Sequence, residues 1–134
     1  MTRRIIATGQ EWVGARYNEE HMAPATCEGV VMWLQKHKDA PSAMVSLEVP
    51  GCDMNLIVAC SRGRCHATFA LDVCVEWYAK VCASPTGGKA EFNTGGQGGE
   101  LPNKWIVTPE EAIGVVKELF AEGTVDLGHG WERI

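Results

Sequence analysis

Three stretches decide the fold: Ala43-Met44-Val45-Ser46-Leu47-Glu48-Val49, Met54-Asn55-Leu56-Ile57-Val58-Ala59-Cys60 and Cys65-His66-Ala67-Thr68-Phe69-Ala70-Leu71. Apolar residues recur at every second position: Val45, Leu47 and Val49, then Leu56, Val58 and Cys60, then Cys65, Ala67, Phe69 and Leu71. A period of two is the repeat of a strand whose alternate side chains meet a core. Pro50-Gly51-Cys52-Asp53 and Ser61-Arg62-Gly63-Arg64 lie between the stretches and read as turns. Short turns between alternating strands predict an antiparallel meander with one buried face. A fourth strand is expected over Val73–Cys82. Its Val73, Val75, Trp77, Ala79 and Val81 would face the core, with Glu76, Tyr78 and Lys80 on the open face.

Helices flank this block. Cys27, Val30, Val31 and Leu34 fall on one helical face, Thr26 suits the N-cap, and Pro41 bars continuation, so a helix is predicted from Cys27 to about His37. Lys36, His37 and Lys38 complement the dipole at its end. Thr108-Pro109-Glu110-Glu111 is a capping box opening a second helix, with Ala112, Val116, Leu119 and Phe120 as its apolar stripe and Gly123 closing it. Trp131-Glu132-Arg133-Ile134 reads as a last short strand. Upstream, Arg3 to Thr8 reads as a short edge strand, and Gly9 to Pro24 as a loop with a fragment of helix near Glu19-Glu20. Residues Ser84 to Gly99 form a long glycine-rich excursion around one short strand, Lys89–Asn93. The expected architecture is α+β: an antiparallel sheet of about five or six strands with two main helices packed on one face, in a single domain over residues 1–134.

Composition bounds the function. The chain has 134 residues, 46% of them apolar and 22% charged, which suits one ordinary core. Twelve basic residues against 17 acidic ones give a net charge of −5, which argues against binding nucleic acid by phosphate neutralisation. The N-terminus lacks the apolar run of a secretory signal, and no segment approaches the roughly 20 apolar residues of a membrane span. The expectation is a cytoplasmic protein with no membrane contact. The six cysteines, Cys27, Cys52, Cys60, Cys65, Cys74 and Cys82, are then expected to be reduced thiols.

Several constellations resemble chemistry. Cys60, Cys65 and His66 have ligand atoms for zinc, but no second ligand pair accompanies them. Cys74 and Cys82 on the expected polar face lack any nucleophile motif. Gly95-Gly96-Gln97-Gly98-Gly99 is not followed by the Lys-Ser or Lys-Thr and helix of a phosphate loop. Glu110 and Glu111 are explained by capping. No catalytic residue, metal or cofactor is expected, and the chain is read as a non-enzyme.

The Gly98-Gly99-Glu100 loop, the short apolar strand Trp105-Ile106-Val107, the Thr108-Pro109-Glu110-Glu111 helix start, the helix ending at Phe120 and Gly123, and the terminal Trp131-Glu132 resemble one known family. It is the immunity-protein family of bacterial polymorphic-toxin systems that is often paired with nucleic-acid deaminase toxins. The resemblance covers residues 26–134 in arrangement and about 98–132 in residues. It implies a small α+β inhibitor that binds a cognate toxin in the cytoplasm and occludes its active site.

Candidate partner-binding residues are Glu76, Tyr78, Glu91, Asn93, Glu100 and Glu132, carboxylate, amide and aromatic groups suited to a basic protein. Residues 101–134 carry three basic against six acidic side chains, which adds to this bias. An alternative is a small-molecule-binding protein or small enzyme, with a pocket between sheet and helices lined by Trp33, Trp77 and Trp105. A homodimer through the open sheet face is a third reading.

Overall fold

A computed structural model describes residues 4–71 and 75–134. Along the chain run β1 (Ile6–Val13), β2 (Arg16–Met22), α1 (Cys27–His37), β3 (Ser42–Val49), β4 (Met54–Ser61), β5 (Arg64–Leu71), β6 (Glu76–Lys80), β7 (Lys89–Thr94), β8 (Gln97–Pro102), a 3-10 turn (Asn103–Trp105), α2 (Pro109–Glu122) and β9 (Trp131–Arg133). Seven strands form one antiparallel sheet in the order β2-β1-β3-β4-β5-β6-β9, and β7-β8 is a separate hairpin. The class is α+β as expected, with more strands than the pattern alone indicated.

The central register carries the core. Ala7, Leu47, Leu56 and Phe69 stand side by side across β1, β3, β4 and β5, and all four are fully buried. Val45, Val58 and Ala67 form the next row. Both helices pack on this face, through Val30, Trp33 and Leu34 of α1 and Ala112, Val115, Val116 and Leu119 of α2. Their ends follow the expected chemistry. Thr26 accepts from the Gly29 amide, the Thr108 capping box is complete on both sides, and Gly123 closes α2 at φ 74°.

The N-terminal region departs from expectation. Residues Gly9 to Met22, read as a loop with a helix fragment, form most of the β1–β2 hairpin instead. β1 is an interior strand between β2 and β3, not an edge, and the Arg3 of the expected strand lies outside the described residues. Gly9 explains why a glycine interrupts β1. A Cβ there would sit 2.4 Å from the Trp33 indole, so α1 approaches the sheet only over bare backbone.

Two further corrections concern the second half. The Gly95–Gly99 run is the turn and first part of a hairpin rather than a loose loop, with Gly95 and Gly96 at φ 62° and 81° and Thr94 paired to Gln97. Trp105-Ile106-Val107 is not a strand: Trp105 ends the 3-10 turn, and only Val107 bridges to Cys65.

Gly9→Ala is expected to destabilise the fold by about 1–3 kcal/mol through overpacking against Trp33, read as a lower urea midpoint. Thr108→Ala is expected to cost about 1 kcal/mol by removing the α2 cap.

Candidate interaction face

Side chains on the strands alternate, so the register also defines the face without helices. Thr8 and Gln10 of β1, Met44 and Ser46 of β3, Ile57 and Ala59 of β4, His66, Thr68 and Ala70 of β5, and Trp77 and Ala79 of β6 point away from α1 and α2. Its centre is built from small residues, of which Ala59, Ala70 and Ala79 are buried and Ser46 and Thr68 half-buried. Four aromatic side chains stand around that centre: Trp12 on β1, Phe92 on the hairpin, Trp105 after it and Trp77 on β6.

The β7–β8 hairpin lies across one end of this face and is fastened at several points. Trp12 seats against Gly96, where a Cβ would meet the indole at 2.9 Å. The Gly96 amide donates to Ser42 Oγ at 3.0 Å, and Arg64 Nη2 donates to the Glu91 carbonyl at 2.6 Å. Phe92 is buried beneath the hairpin, edge-on to His66 at 6.2 Å and under the Arg64 guanidinium at 5.8 Å. His66 Nδ1 lies 3.0 Å from the Trp105 carbonyl and, as its N–H tautomer, donates to it. Burial pushes the His66 pKa below its ordinary value, against the opposing pull of that hydrogen bond.

The six candidate contacts fall into three places. Glu91, Asn93 and Glu100 line one cleft of about 620 Å³ between the hairpin and the β4–β5 turn, together with Arg62 and Arg64. Glu91 and Glu100 are direct cross-strand partners, so their side chains leave the same side of the hairpin. Both residues are exposed, and among the described residues neither carboxylate forms an ion pair. Opposed like charges weaken a hairpin unless a cation joins them.

Glu132 stands elsewhere, opposite Ala79 at the far edge of the uncovered face. Lys104 Nζ donates to it at 2.7 Å, and that contact holds its carboxyl below the usual range against the opposing effect of desolvation.

Glu76 and Tyr78 are not on the open face. Tyr78 pairs with Phe69, a core residue, so Glu76, Tyr78 and Lys80 share the helix side, and Trp77 and Ala79 take the uncovered one. Tyr78 Oη donates to Glu76 at 3.4 Å, and Arg133 approaches the same carboxylate at 3.8 Å. β6 is also shorter than expected: Val75 precedes it and is 71% exposed, and Val73 and Cys74 lie outside the described residues. The three tryptophans Trp33, Trp77 and Trp105 do not meet between sheet and helices, because Trp33 is on the helix side and the other two are opposite. Trp131 packs against the core beside Phe69, 6.2 Å away.

One polar pair had no local signal. Glu11 on β1 and His37 at the end of α1 are 26 positions apart, yet His37 Nδ1 meets Glu11 Oε2 at 2.5 Å. The His37 ring lies tilted against Trp33, centroids 4.5 Å apart, and both line a second cleft of about 450 Å³ with Asn18, Glu20 and Lys36. Only the packing of α1 over the β1–β2 hairpin brings them together. Among the described residues, no group of three His, Cys, Asp or Glu side chains is placed to hold a metal ion. Cys60 and Cys65 point toward the helices and His66 away from them, which separates the ligand set weighed from sequence. The chain matches no protein-family model, and no curated protein shows significant sequence similarity to it.

A histidine whose pKa falls on folding makes the unfolded chain bind more protons. Its contribution is intact above the ordinary pKa of 6.5 and is lost as pH falls from there through the lower folded value. Denaturation between pH 7 and 5 is therefore expected to show falling stability, with a flatter slope in His66→Gln. Equal slopes would contradict the buried neutral imidazole.

Proposed function

We propose that this chain is an inhibitor of the immunity type, which binds a basic protein toxin and blocks its active site. The observation that carries the reading is the sheet covered by helices on one face only. Its other face has a small-residue centre, an aromatic surround and a hairpin bearing the unpaired Glu91 and Glu100. Large aromatics at a rim and unneutralised carboxylates beside them suit a protein partner with exposed Lys and Arg. The resemblance of residues 98–132 to immunity proteins points the same way, and a nucleic-acid deaminase is the partner class it suggests. The cytoplasm of the producing cell is where such a partner would be met.

The geometry changes which residues are expected to matter. Trp77, rather than Tyr78, is the β6 aromatic on the contact face. Glu91 and Glu100 are expected to receive a basic side chain, with Asn93 beside them. Glu132 contributes at the opposite margin through its pair with Lys104.

The resemblance implies a toxin gene beside the one for this chain, and the test is co-expression with the toxin so encoded, with growth as the readout. Protection is expected for the natural chain, and its absence would reject the reading. In a binding assay with that toxin, Trp77→Ala and the double change Glu91→Lys with Glu100→Lys should each weaken affinity by about 10- to 100-fold, or about 1.4–2.8 kcal/mol. Glu76→Gln, on the helix side, should leave affinity unchanged. The charge-reversed form should also lose much of its salt dependence.

A further inference from the structure

Cys60 and Cys65 are cross-strand partners on β4 and β5, one pair in from Ser61 and Arg64, which flank the Arg62-Gly63 turn. Both side chains face the core, at 0% and 1% exposure, and their Sγ atoms are 3.4 Å apart. The backbone defines the type of pair. The Cys65 amide donates to Val107 and its carbonyl accepts from Val107, at 2.9 and 2.7 Å, so both groups point away from β4. Cys60 and Cys65 are therefore a non-hydrogen-bonded cross-strand pair, whose Cα atoms approach to about 4.5 Å. That separation lies within the roughly 4.4–6.8 Å a disulfide accepts.

We propose that Cys60 and Cys65 are an oxidisable pair that closes to an intrachain disulfide when a hydroperoxide reaches them. One thiolate attacks the peroxide oxygen, the O–O bond breaks, and a sulfenic acid and water form. The second thiolate attacks that sulfur, the S–O bond breaks, and the departing hydroxide takes a proton as water. Two thiols and one hydrogen peroxide thus give one disulfide and two waters.

Geometry makes the second step fast once the first has occurred, because the resolving sulfur is already in contact. The first step is slow. The S–H contact with Cys65 and burial both push the Cys60 thiol up, and a small neutral oxidant must enter through opening of the turn. The product would fasten the base of the turn that carries Arg62 and Arg64, one wall of the hairpin cleft.

The sequence offers a clean assay. Trypsin cleaves after Arg62 and after Arg64, which separates the two cysteines into peptides 39–62 and 65–80. In a chain carrying Cys52→Ser and Cys74→Ser, each peptide holds one cysteine. Folded protein treated with hydrogen peroxide and digested without reductant should yield the two peptides linked, and dithiothreitol should separate them. Free thiols at both positions, sulfinic or sulfonic acid at Cys60, or linkage only in protein oxidised in urea would each overturn the proposal.

Discussion

The row Ala7–Leu47–Leu56–Phe69 is the constraint on which the remaining structure rests. Four neighbouring strands must agree in register for these side chains to lie together under α1 and α2. A slip of one residue would turn an entire strand's apolar set to the wrong side. With the row in place, the helices have one surface to cover, and Gly9 lets Trp33 close over it. The opposite face is determined at the same moment, including the positions of His66 and Trp77.

β3, β4 and β5 were legible because their two faces differ in exposure, and the apolar period records that difference. The helices were legible through their ends, where Thr26 and Thr108 satisfy amides that the helix leaves open. β2 was not legible. As an edge strand, exposed along almost its whole length, it carries Arg16, Asn18, Glu19 and Glu20 with no alternation to detect. β6 is legible as a strand, but its orientation is not. Near the sheet margin its helix-side positions are only half covered, so Glu76 and Lys80 are tolerated there while Trp77 takes the other face. Apolar character and core direction separate at such a margin, and periodicity follows the first.

The candidate contacts show the same limit. Glu91, Asn93 and Glu100 meet because the two glycines at 95 and 96 fold the hairpin back, which a turn signal can anticipate. That Arg62 and Arg64 form the facing wall depends on where the hairpin lands, and no local pattern encodes it. Glu11 and His37 illustrate the point more strongly, since their pairing is created wholly by helix-on-sheet packing.

The strict parity of the central strands has an evolutionary consequence. Along β3, residues 43, 45, 47 and 49 serve the interior, and 44, 46 and 48 serve the other side. On β3, selection acts separately on alternate codons: one set is held by packing, and the half-buried or exposed Met44, Ser46 and Glu48 can vary with smaller effects on folding. That freedom ends where the outward positions are themselves buried, at Ala59, Ala70 and Ala79, which packing holds as tightly as the interior.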